Sequence, residues 1–186
     1  MLKDLKVDAG SAILVSIDMQ DKVIDITWDH DIVRPRAVAL TSIARMMQVP
    51  VLKVEHVPSK MGLTTIAIDD ALGNISPIVK ASFSAFGSDE FAQKLASSGR
   101  KKVIIFGVEA HVCLCQTVLD ALSRGYSVFV VADASSFTSP YHRDIAYDRM
   151  RQAGAVIATA QSLAFELLER ADRPEFKQAL PYIKDL

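Results

Sequence analysis

The sequence predicts an α/β domain: a three-layer, Rossmann-like sandwich with a central, mostly parallel sheet of about six strands and helices on both faces. Three observations carry that prediction. Short apolar runs alternate with amphipathic stretches along the whole chain. The apolar runs are continuous rather than alternating, as expected of strands covered on both faces. Glycine and proline fall between the segments, where helix ends need them.

The first strand is read at Ala12-Ile13-Leu14-Val15-Ser16-Ile17. Asp31 is placed as the cap of the next helix, with Pro35 in its first turn, where backbone N–H groups lack partners anyway. Val33, Ala37, Leu40, Ala44 and Met47 recur there at helical spacing. Val51-Leu52-Lys53-Val54 reads as a second strand. Residues 57–77, with Pro58, Gly62, Gly73, Asn74 and Pro77, read as irregular. A short extended piece follows at Ile78-Val79-Lys80, then a helix near 88–98. Lys102 to Phe106 is a strand, a helix covers roughly 112–124, and Gly125 ends it. Val128 to Val131 is another strand, Pro140 opens a helix ending at Gly154, and Val156-Ile157-Ala158 is the last strand before further helical segments.

The 186 residues fit one domain, taken as 1–186, with no repeat, low-complexity tract or linker. Half of them are apolar and mean hydropathy is +0.22, enough to fill a core and leave apolar surface for a homo-oligomer interface. With 21 basic and 22 acidic residues and no basic block, nucleic acid and anionic membranes are not expected partners. No apolar run approaches the ~18 residues of a membrane span. The first eight residues mix charge signs and lack a signal-peptide core, and two close cysteines make no disulfide scaffold. An intracellular, cytoplasmic setting is expected.

In open α/β sheets the ligand crevice lies beyond the carboxyl ends of the strands. Three polar residues follow strands directly: Asp18, Lys80 and Cys113. The two cysteines differ in helical phase. Cys115 shares a face with Leu119 and Leu122, and Cys113 with Gln116, Thr117 and Asp120. Cys115 is therefore the structural cysteine. Cys113 also falls in the first turn of its helix, where the dipole is expected to favour the thiolate and lower the thiol pKa. A base is needed to activate it. His111, two residues away, and a pairing of Asp18 with Lys80 are both open on spacing.

Ile17-Asp18-Met19-Gln20, Val79-Lys80-Ala81-Ser82-Phe83 and Gly107-Val108-Glu109-Ala110-His111-Val112-Cys113 with Gln116-Thr117 resemble the isochorismatase-like cysteine hydrolases, as does Gly125-Tyr126 through Ser135-Ser136. The resemblance covers nearly the whole chain. Glu55-His56-Val57-Pro58, Met61-Gly62-Leu63-Thr64 and Arg149 to Ala155 look most like the isochorismatase-domain-containing proteins. It implies a triad with Cys113 as nucleophile, Asp18 as general base and Lys80 as the orienting cation. It also implies a cis peptide between Val108 and Glu109, with the Glu109 and Cys113 amides as oxyanion hole. The implied chemistry is hydrolysis of a small-molecule amide, imide or related C–N bond through a thioester.

Departures narrow this. Nicotinamidases of the superfamily carry Asp-x-His-x-x-His after the second strand. Here the stretch is Lys53-Val54-Glu55-His56-Val57-Pro58-Ser59, so no metal and no other cofactor is expected. True isochorismatases cleave a vinyl ether without a cysteine nucleophile, so Cys113 argues against that reaction. Glu55, Trp28, Phe83, Phe86, Thr64 and Gln20 are candidate substrate contacts. Two other readings compete: a catalytically silent oligomeric scaffold of the same fold, and a ribonuclease-associated protein, which the charge balance disfavours.

Overall fold

The computed structural model describes residues 5–184 and 186. Its six strands are β1 (Ala12–Ile17), β2 (Val51–His56), β3 (Ile78–Lys80), β4 (Lys102–Gly107), β5 (Ser127–Val131) and β6 (Val156–Ala158). All pair in parallel, in the order β3-β2-β1-β4-β5-β6. The order reverses direction between β1 and β4, which opens a crevice at their carboxyl ends.

Alternation along the strands sends side chains to two cores. Ala12 and Leu14 pack on one side of the sheet, with Ile104, Phe106 and Phe129. That side is covered by α2 (His30–Met46), α4 (Ile66–Leu72), α8 (Ala160–Leu168) and α9 (Pro174–Ile183). Ile13, Val15 and Ile17 pack on the other, with Val103, Ile105 and Val130, beneath α5 (Asp89–Ser97), α6 (Cys115–Ser123) and α7 (Pro140–Ala153). Central strands β1 and β4 are buried along their whole length, which explains their unbroken apolar runs.

Three expectations change. Residues 57–77 are not wholly irregular: α3 (Pro58–Met61) and α4 lie within them, with Gly73 as a left-handed C-cap at φ 83°. Their turn-forming neighbours concealed helices of four and seven residues. Asp29, not Asp31, holds the N-cap position of α2, without a side-chain capping bond, and Pro35 sits inside the helix rather than in its first turn. The helix expected from 112 starts as a π-helical turn over Ala110–Leu114, and α6 proper begins at Cys115. A four-residue helix α1 (Asp21–Ile24) also follows β1. No helix among the described residues is long and apolar enough to cross a membrane.

Asp8, ahead of β1, ties the strand to its neighbour. It pairs with Lys102 Nζ at 2.8 Å and accepts from Ser11 N at 2.9 Å, and these donors lower its pKa from 3.8 to about 2. A carboxyl depressed on folding adds stability above its unfolded pKa and loses it as pH falls through the folded value. Asp8→Asn should therefore cost under about 1 kcal/mol at pH 7, because the pair is partly exposed. Urea melts should show that difference from wild type closing as pH drops from 3.8 towards 2.

Candidate active site

The site forms where the sheet order reverses. The chain leaves β1 into Asp18, whose φ is 54°, and Asp18 N donates to Val54 O at 3.0 Å. This turn holds the Asp18 side chain at the strand end, where it is 2 % exposed. Lys80 ends β3, in register with His56 of β2, and is also buried. Its Nζ donates to Asp18 Oδ2 at 2.6 Å. Asp18 Oδ1 has no well-formed hydrogen bond within the protein.

The third residue arrives from β4. Gly107 ends that strand at φ 144° and the Val108–Glu109 peptide is cis. The π-helical turn follows, marked by the Leu114 N to Glu109 O bond at 3.3 Å. Ala110 N donates to Ser136 O at 2.8 Å, and Thr117 Oγ1 donates to Cys113 O at 2.7 Å while accepting from Ala85 N at 3.0 Å. These bonds fix the turn so that Cys113 lines the same cavity as Asp18, close enough for its thiol to feel the Asp18 and Lys80 charges. Cys115, two residues on, points into the core.

Electrostatics at Cys113 run against the expectation from helix position. Burial pushes the thiol up to about 12, the Asp18 charge pushes the same way, and Lys80 only partly opposes them. Desolvation outweighs the dipole here, because the residue lies in a buried π-helical turn rather than at an exposed helix start. Burial likewise raises the Asp18 pKa, against the pull of Lys80. The resting thiol is thus protonated beside the buried Asp18–Lys80 pair. A buried ion pair is a poor source of net stability, and this arrangement is suited to moving a proton.

Over these groups lies a cavity of ≈ 240 Å³. Its walls include Lys22, Val23 and Ile26 from α1 and the residues after it, His56 and Met61 around α3, Phe83, Val108, Glu109 and Val112, with Asp18 and Cys113 at the floor. His56 stacks on Phe83 at 5.9 Å between ring centroids, and burial and the Lys80 charge lower its pKa. A larger groove of ≈ 420 Å³ lies beyond β5 and β6, but its arginines 36, 143 and 151 are already paired with Asp133, Asp144 and Asp148.

Of the candidate substrate contacts, Phe83 lines the cavity. Gln20, Glu55 and Thr64 stand behind its wall. Gln20 Nε2 donates to His56 O and Gly62 O, and its Oε1 accepts from His56 N at 2.7 Å. Glu55 Oε1 accepts from Thr64 N and Oγ1 at 2.9 and 2.8 Å. Together they clamp the segment that carries Met61. Phe86 packs edge-on to Phe91 and beneath Arg124, and Trp28 is exposed, so neither lines the cavity. His111 stacks on His142 at 4.8 Å and does not line the cavity. Lys22, Val23, Ile26 and Met61 were not picked out from sequence. The signal available was their position just after β1 and β2. Among the described residues no three His, Cys, Asp or Glu side chains cluster so as to hold a metal ion.

The isochorismatase domain model matches residues 12–162. The chain belongs to the isochorismatase domain family. Isochorismatase domain-containing protein 2 of Macaca fascicularis is 36% identical over 182 residues, 95% of this chain and 84% of that protein. A secreted isochorismatase effector, Isc1, of Phytophthora sojae is 34% identical over 180 residues, 94% and 85% of the two chains. Among solved structures, the MAR1 ribonuclease of Caenorhabditis elegans superposes at TM-score 0.89 and 30% identity, covering 96% of this chain and 92% of its own. YcaC of Pseudomonas aeruginosa, described with hexane-2,5-diol and covalent acrylamide, gives 0.91 at 26%, covering 98% and 93%. YcaC of Escherichia coli, described as an octameric hydrolase of unknown specificity, gives 0.91 at 24%, covering 98% and 92%. The fold of this family member is that of the isochorismatase-family hydrolases.

Proposed function

We propose that this family member is a metal-independent cysteine hydrolase cleaving a small-molecule amide, imide or related C–N bond through Cys113, Asp18 and Lys80. The observation that carries the proposal is one thiol gathered with a buried Asp18–Lys80 pair at the floor of a cavity. At ≈ 240 Å³ that cavity lies under the roughly 300 Å³ where drug-sized pockets begin, which favours a compact substrate.

In the reaction, Asp18 takes the thiol proton as Cys113 Sγ attacks the carbonyl carbon. Concerted transfer suits a thiol whose free ionisation is held up to about 12. The tetrahedral oxyanion would be held by the Glu109 and Cys113 amides at the start of the helical turn. Collapse breaks the C–N bond, and the leaving amine takes the proton from Asp18. Water then loses a proton to Asp18 and attacks the thioester, releasing the acid and restoring the thiol. Lys80 keeps Asp18 in place and ionised against its burial.

The test is a panel of amides, imides and carbamoyl compounds assayed with wild type and Cys113→Ser. At least one compound should be hydrolysed by wild type, with the variant down about 10³-fold or more. Hydrolysis that survives in Cys113→Ser would sink the nucleophile assignment. A ribonuclease reading is favoured by one observation, the 30% identity to the MAR1 ribonuclease. RNA cleavage by pure protein that is lost in Cys113→Ser would support it. A net charge of -1 opposes it, since phosphate binding needs a basic surface. A homo-oligomer is supported by exposed Ile26, Trp28, Ile66 and Tyr141 and by the octameric YcaC.

A further inference from the structure

We propose that the substrate carries a carboxylate at the end remote from the scissile bond and that Lys22 binds it. The inference rests on the reading of Cys113, Asp18 and Lys80 as the reacting floor of the cavity.

Lys22 lines the cavity from α1, and its Nζ donates to Lys60 O at 3.2 Å. Among the described residues no carboxylate lies within ion-pair distance of it, whereas Lys53, Lys80, Lys94 and Lys102 each face an acid. An ammonium has three N–H donors, so two remain for a ligand. The other charges at the cavity are engaged. Asp18 and Lys80 neutralise each other at the floor. Glu109 Oε2 accepts from Thr138 N at 3.0 Å and from Thr138 Oγ1, and lies 3.9 Å from His111 Nδ1.

Val23, Ile26, Met61, Phe83, Val108 and Val112 supply the apolar walls. The cavity therefore offers a reactive floor, an apolar body and one uncommitted cation. Its complement is a short amide with an aliphatic stem and a terminal carboxylate. The uncharged analogue would leave the cation with Lys60 O and water.

The test compares succinamate, glutaramate and adipamate with the neutral amides of equal chain length, as ligands of Cys113→Ser by calorimetry and as substrates of wild type. The best acid amide should bind about tenfold tighter than its neutral counterpart, as a charge-assisted contact at a partly wetted site supplies. Adding Lys22→Gln should remove that preference, Lys22→Arg should keep it, and salt should weaken it. Equal affinities, a preference that survives Lys22→Gln, or no binding by any of the six compounds overturns the inference. Selective binding without hydrolysis by wild type upholds Lys22 and overturns the cysteine mechanism. Hydrolysis without charge preference does the reverse.

Discussion

Asp18→Asn should slow turnover about 10²- to 10⁴-fold, the range for loss of a general base, while making the Cys113 thiol more acidic. The two effects have opposite signs because Asp18 does two things. As a base it accepts the thiol proton during attack. As a fixed negative charge it raises the thiol pKa, alongside burial. An asparagine keeps the shape and removes both. Lys80 then has Cys113 as its natural counterion, so ultraviolet thiolate absorbance should appear at lower pH than the resting value of about 12. A dipole or burial effect alone would leave that titration where it is. If Asp18→Asn retained turnover, or if its thiol titrated no lower than wild type, Asp18 would not hold the assigned place.

The second large effect concerns folding. Gly107→Ala should cost at least about 3 kcal/mol, a large share of a typical domain's stability. A Cβ at this position would stand 2.0 Å from Ile17 O and 2.8 Å from Ile17 Cβ, at a φ of 144° that side chains rarely adopt. Ile17 O cannot yield, because it accepts from Val108 N at 3.1 Å and belongs to the β1–β4 pairing that builds the crevice. Gly99→Ala is the control. It also has positive φ, 69°, but nothing lies within 4 Å, so only the backbone term of roughly 1–2 kcal/mol is expected. Denaturant midpoints should rank wild type, Gly99→Ala, Gly107→Ala. A Gly107→Ala midpoint equal to that of Gly99→Ala would show that the close approach carries no weight.

What the sequence made legible followed from periodicity. Strands buried on both faces must be continuous apolar runs, so β1, β4 and β5 could be read within a residue or so. Asp18, Lys80 and Cys113 stood out as polar residues at strand ends, and the fold does bring them together. What stayed hidden depends on tertiary packing. The order of strands is set by which apolar faces meet, and no single segment carries that. The π-helical turn at Ala110–Leu114 is held by long-range bonds to Ser136 and by Thr117, whose own partner is Ala85. The direction of the Cys113 shift needed its burial, and local helix position pointed the other way. The cavity walls came from α1 and α3, helices too short to leave a period. Gln20 and Glu55 stood among the candidate substrate contacts, but their partners show that they brace the wall rather than line it.

The most direct measurement is rapid-quench mass spectrometry of wild type mixed with a hydrolysed amide, followed by peptide mapping. Cys113 should carry the acyl group as a thioester that forms and decays at rates consistent with turnover, and that accumulates in Asp18→Asn given an activated ester, whose leaving group departs as an anion without a proton from Asp18. Turnover with no acyl group on Cys113 under any quench, or an acyl group only on Cys115, would contradict the mechanism.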